Sequence, residues 1–122
     1  MGKTILLIDD EELVIEIAKK QLEAKGFTVF TAYDGEPALE LLKTKPVDLV
    51  LLDVQMPKMN GYTFITEFRK LEADKPNKTP IIVLTAFGNM EPIFKRHNIK
   101  NYLQKPFQLN ELIDKIKQVT GS

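Results

Sequence analysis

The sequence predicts an α/β fold with a five-stranded parallel sheet in the order 2-1-3-4-5 and five helices covering both faces. Three observations carry this. Short apolar runs alternate five times with segments of near-helical period. The runs Ile5 to Ile8, Leu49 to Leu52 and Ile81 to Leu84 are uninterrupted, as in strands buried on both sides. At 122 residues the chain suits a single domain, 1–122, and a five-stranded sheet rather than a six-stranded dinucleotide fold.

The elements follow in order. Thr4 to Ile8 is a short strand, cut off by Asp9-Asp10-Glu11-Glu12. Apolar positions Leu13, Ile17, Ala18, Leu22 and Ala24 then describe an amphipathic helix outside the sheet, with Gly26 as its stop. Its acidic first turn suits the positive end of the helix dipole. Phe27 to Ala32 is rich in β-formers and reads as a second strand. Asp34-Gly35 turns into a helix over Glu36 to Lys43, with Pro37 in its first turn.

Leu49 to Asp53 is the third strand, and it ends in a lone carboxylate before a turn rich in Pro, Asn and Gly. A third helix runs from Gly61 to about Leu71, burying Phe64, Ile65, Phe68 and Leu71. Glu72 to Thr79 is expected to be a polar loop. Pro80 to Thr85 is a fourth buried strand ending in a hydroxyl. A short fourth helix is expected near Pro92, within Ala86 to Lys100. Asn101 to Gln104 is the fifth strand, and Leu109, Leu112, Ile113, Ile116 and Val119 stripe a final helix.

Composition narrows the function classes. The chain is 43% hydrophobic and 28% charged, with 17 acids balancing 17 bases, so bulk charge gives no reason to expect direct nucleic-acid or membrane binding. It has no cysteine, which excludes disulfides, zinc thiolates and thiol catalysis. The aliphatic run at Ile5 to Ile8 is too short for a signal-peptide core or a bilayer span, and Leu6 breaks the myristoylation motif. The expected location is the cytoplasm.

In such a sheet ligands bind beyond the carboxyl ends of the strands, at the switch point between strands one and three. The strand ends supply Asp9 and Asp10, then Asp53, Thr85 and Lys105. Carboxylates crowded together repel unless a cation lies among them, and an oxygen set of this kind suits Mg²⁺. A carboxylate beside such an ion, a lysine and a hydroxyl can accept a phosphoryl group. Read singly, each residue has a plainer role: a surface lysine, a strand-end hydroxyl, a capping aspartate.

The motifs Ile8-Asp9-Asp10-Glu11, Leu52-Asp53 through Asn60-Gly61, Leu84-Thr85-Ala86 and Tyr102-Leu103-Gln104-Lys105-Pro106-Phe107 resemble the receiver domain of two-component response regulators. The likeness covers essentially the whole chain and implies a flavodoxin-like fold. It also implies that Asp53 is the phosphoacceptor, charged by a histidine kinase or phosphotransfer protein. Asp10 and Asp53 are then direct Mg²⁺ ligands, with Asp9 acting largely through water and the backbone carbonyl of Gln55 completing the set; Mn²⁺ is a substitute ion. Lys105 pairs with Asp53 and then with the phosphoryl oxygen, while Thr85 and Tyr102 form the switch. Lys105-Pro106 is expected to be cis. The resemblance implies a switch that assists its own phosphorylation and slow dephosphorylation without turning over an external substrate. Its partners are a kinase and a downstream protein or output domain.

Departures and competing functions qualify the resemblance. Twenty positions separate Thr85 from Lys105, about two fewer than members of the family often have. His97-Asn98-Ile99-Lys100 replaces a small-residue turn. Both put in question a homodimer through the face from the fourth to the fifth helix. Phe87, beside the expected route of hydrolytic water, is bulky enough to lengthen the phosphoryl lifetime. His97 reads as a solvated surface residue, and Met56 and Met59 as loop packing. A flavin protein needs a small polar loop after strand one, where this chain has four acids. An aspartyl phosphohydrolase commonly has a second Asp at the position held by Gln55.

Overall fold

The computed structural model describes residues 2–53, 61–85, 99 and 101–121, with only the backbone at Thr85. Its elements are β1 (Thr4–Ile8), α1 (Glu12–Ala24), β2 (Thr28–Ala32), α2 (Gly35–Thr44), β3 (Leu49–Asp53), α3 (Gly61–Leu71), β4 (Ile81–Thr85), β5 (Asn101–Gln104) and α4 (Leu109–Thr120). The strands form one parallel sheet in the order β2-β1-β3-β4-β5, as expected. β1 pairs with β3 from Ile5↔Leu49 to Ile8↔Leu52, and β3 with β4 from Val50↔Ile81 to Asp53↔Leu84. Four helices lie among the described residues. The helix expected near Pro92 falls outside them, so α4 here is the final helix of the sequence reading.

Alternation along the strands divides the core in two. Ile5, Leu7, Leu49, Leu51, Ile82 and Leu84 face α1 and α4, meeting Ile15, Leu22, Leu112 and Ile116. Leu6, Ile8, Val50, Leu52, Ile81 and Val83 face α2 and α3, meeting Ala38, Phe64, Ile65 and Phe68. Both sides of the three central strands are thus dry, which is why their sequences show no polar alternation.

Local signals set the helix ends. After α1, Gly26 takes φ +96°, its N–H donates to the Glu23 carbonyl at 3.0 Å, and the Phe27 N–H reaches the Leu22 carbonyl at 3.2 Å. This double closure needs a residue that tolerates positive φ, and it brings buried Phe27 against buried Leu22. Asp34 caps α2, its Oδ1 accepting from the Gly35 N–H at 2.7 Å. At α4, Gln108 and Glu111 form a reciprocal capping box.

Two side-chain expectations are corrected. Leu13 and Ile17 do not face the sheet: they are 68% and 50% exposed, and Ala24 is exposed as well, while Ile15 joins Leu22 on the inner face. Leu71 is 45% exposed, and the buried residue at the end of α3 is Glu72. The inward positions Phe64 and Phe68 recur every fourth residue, so the next one is 72; Leu71 is rotated about 100° away from it.

Candidate functional site

The same alternation builds the site. Asp9 continues β1 on the face of Leu7, Asp53 ends β3 on the face of Leu51, and Lys105 follows β5 two residues after Leu103; all three neighbours pack in the α1–α4 layer. The backbone of Asp9 is pinned to β2 by its N–H, which donates to the Ala32 carbonyl at 3.1 Å. Strand parity therefore sends two carboxylates and an ammonium to one side of the sheet's C-terminal edge.

Asp9 is fully buried and Asp53 nearly so, whereas Asp10 is exposed. One oxygen from each of the three lies within 4.8 Å of the others. Lys105 Nζ donates to Asp53 Oδ2 at 3.4 Å and stands 3.9 Å from Asp9 Oδ2. Burial pushes the Asp9 carboxyl up to about 6. The Glu11 N–H, donating to Oδ1 at 3.0 Å, opposes the rise; the charge of Asp53 adds to it and that of Lys105 subtracts.

The donor set fits a hard divalent cation. Asp9 Oδ2 is buried and accepts no hydrogen bond, the one such side-chain atom among the described residues. An anionic oxygen cut off from water and from donors is strongly disfavoured unless a cation compensates it, and among the described residues one ammonium, that of Lys105, is shared between Asp9 and Asp53. Two buried carboxylates and one exposed carboxylate leave positions for water, as Mg²⁺ prefers.

Asp9, Asp10, Asp53 and Lys105 thus converge as the sequence suggests. The backbone of Thr85 ends β4 in register with Gln104, at the same edge of the sheet. Tyr102 lies on β5 opposite Val83 and is 38% exposed. The Lys105-Pro106 peptide is cis, as expected. Gln55 and Phe87 lie outside the described residues. The sequence reading missed the Glu11 amide that holds Asp9, a turn that an Asp three residues before the start of a helix could have signalled. It also missed a groove of about 240 Å³ between α1 and α4, with Asp9 and Lys105 at one end and Val14, Ile17, Phe107 and Leu109 along its walls.

A switch-point cluster of three carboxylates and a lysine on a doubly wound sheet defines the class: a phosphoryl-accepting α/β signalling module. Residues 5–117 match the family model of the response regulator receiver domain, and the chain belongs to that family. It is 38% identical over 120 residues to the transcriptional regulatory protein CrdR of Helicobacter pylori, covering 97% of this chain and 55% of that protein. Among solved structures, chemotaxis response regulator CheY4 of Vibrio cholerae superposes with a TM-score of 0.86 at 27% identity, covering 98% of this chain and 99% of that one. Response regulator TrrA of Thermotoga maritima, solved in complex with Mg²⁺-BeF, gives 0.82 at 34% identity, covering 96% and 98%. The chain spans about half the length of the curated relatives it matches.

Proposed function

We propose that Asp53 is the phosphoacceptor of a two-component relay. The observation that carries this is the pairing of a nearly buried strand-end carboxylate with Lys105 at 3.4 Å beside the orphaned oxygen of Asp9. An Asp53 oxygen attacks the phosphorus of a phosphohistidine; the new O–P bond forms as the P–N bond breaks, and the imidazole leaves with the electron pair. Lys105 swings from the carboxylate to a phosphoryl oxygen and offsets the charge that accumulates there. The Thr85 hydroxyl is the group that follows the phosphoryl, and Tyr102 the aromatic that responds.

Asp9, Asp10, Asp53 and the Gln55 carbonyl would hold Mg²⁺, or Mn²⁺ in its place, and the ion would neutralise the carboxylates and the equatorial phosphoryl oxygens. On this reading the chain assists its own phosphorylation and slow dephosphorylation without turning over an external substrate. Its donor is a histidine kinase or phosphotransfer protein, and its recipient is an output domain or a downstream protein. The reading keeps one receiver domain over 1–122, located in the cytoplasm; among the described residues no helix is long and apolar enough to cross a membrane. Homodimerisation through the fourth-to-fifth-helix face involves residues outside the described set.

Acetyl phosphate with Mg²⁺ is expected to add one phosphoryl group, and a chelator to prevent it. In Lys105→Met the rate should fall by about 10²-fold, the usual cost of losing one charge-stabilising group. Labelling that ignores both chelator and Lys105 would contradict the mechanism.

A further inference from the structure

The turn between α3 and β4 holds two cation sites of different chemistry. One is the Glu72 carboxylate, which takes Arg69 at 2.8 Å and Lys75 at 3.0 Å. The other has no carboxylate. Lys78 Nζ donates to the backbone carbonyls of Glu72, Lys75 and Ala73, at 2.8 Å for Lys75 and 3.4 Å for Ala73. Among the described residues Lys78 is in no ion pair. The chain makes this ring by turning sharply: the Glu72 and Ala73 amides close on the Arg69 and Lys70 carbonyls, and the Lys75 N–H on the Glu72 carbonyl at 2.9 Å. Three carbonyls are thereby drawn to one point at the negative end of the α3 dipole, and an ammonium has three N–H groups to give them.

We propose that this ring is a receptor for a primary ammonium group, filled in cis by Lys78 and able to take a free alkylammonium ion when that side chain is cut back. Recognition rests on donor geometry as well as charge. A guanidinium is a planar fork, so Arg at this position keeps the charge but cannot send three N–H groups from one atom to three carbonyls. A quaternary ammonium keeps the charge and has no donor at all. Residues 73–78 are all exposed, so ions from solvent reach the ring. The ring precedes β4, whereas Asp53 ends the neighbouring strand β3, so the two sites lie at opposite edges of the sheet and can be read separately.

Thermal unfolding of the full chain in chloride salts of equal ionic strength is the test, with amide exchange at residues 73–79 as the local readout. Lys78→Ala is expected to lower Tm by about 5 °C, as loss of charge-assisted hydrogen bonds does in a domain of this size. Lys78→Arg should fall nearly as far. The n-propylammonium ion, which replaces the atoms removed in Lys78→Ala, should restore that variant saturably and slow exchange of its loop amides, leaving wild type unmoved. Tetramethylammonium should restore nothing. Lys75→Ala, which loses a partner of the Glu72 carboxylate but keeps the ring filled, should gain nothing from n-propylammonium. The proposal is overturned if Lys78→Ala or Lys78→Arg is as stable as wild type, if n-propylammonium restores nothing, or if tetramethylammonium restores as much.

Discussion

Asp9 and Glu72 are both buried carboxylates, and their surroundings send them in opposite directions. Asp9 has one amide donor and an orphaned oxygen, and burial raises its pKa to about 6. Glu72 feels burial too, but the Thr79 hydroxyl, Lys75 and the Thr79 N–H outweigh it and bring its carboxyl below the ordinary value; Arg69 adds an ion pair at 2.8 Å. For Asp9 the folded chain binds the proton better than the unfolded chain does. Its ionisation therefore costs metal-free stability as pH rises from 3.8 through about 6. On the proposed reading a cation in this cluster and that proton compete for the charge of Asp9, so Mg²⁺ affinity should climb by up to about tenfold per pH unit below about 6 and level off above it. Fluorescence or calorimetric titration across this range checks the slope, and Asp9→Asn should flatten it. For Glu72 the sign reverses: its contribution is full above 4.5 and is lost as pH falls through its depressed value. Glu72→Gln should cost about 2–3 kcal/mol in urea denaturation near neutral pH, because the Thr79 donors and two cations lose their anion.

Elements show where sequence patterns mislead. In α1, apolar residues occupy positions 13, 14, 15 and 17, so the helical period admits more than one inner face; only packing against β1 and β2 selects Ile15 and Leu22. Ile15→Ala should cost about 2–4 kcal/mol by opening a core cavity, against under about 0.5 kcal/mol for exposed Leu13→Ala. Comparable losses would place Leu13 in the core and refute the face assignment. At the end of α3 the stripe continues into a glutamate, a residue that composition alone assigns to a loop. It becomes the anchor of the turn to β4, with the Lys78 ammonium donating to the carbonyls of Glu72, Ala73 and Lys75. Such a clamp needs partners three to seven residues away to fold back together, and that contact has no signature in periodicity. The central strands were legible because burial on both faces leaves unbroken aliphatic runs, and β3 at Leu49–Asp53 matches the expected bounds; β5 at Asn101–Gln104 also matches, although it is a half-buried edge strand without such a run.

For the whole molecule, sheet order and strand parity together determine the site. Order 2-1-3-4-5 sets the ends of β1 and β3 side by side, and alternation turns Asp9 and Asp53 toward the same layer as Lys105. That much followed from which residues end the strands. The burial difference between Asp9 and Asp10, the missing donor at Asp9 Oδ2 and the groove beside it did not, because they depend on how the first turn after β1 folds over the edge. The central claim is that Asp53 carries the phosphoryl group. Intact-mass analysis after acetyl phosphate and Mg²⁺ treatment tests it most directly, comparing wild type with Asp53→Asn. The account predicts a single phosphoryl adduct on the wild type, located at Asp53 by peptide mapping, and none on the variant. An equal adduct on Asp53→Asn would contradict it.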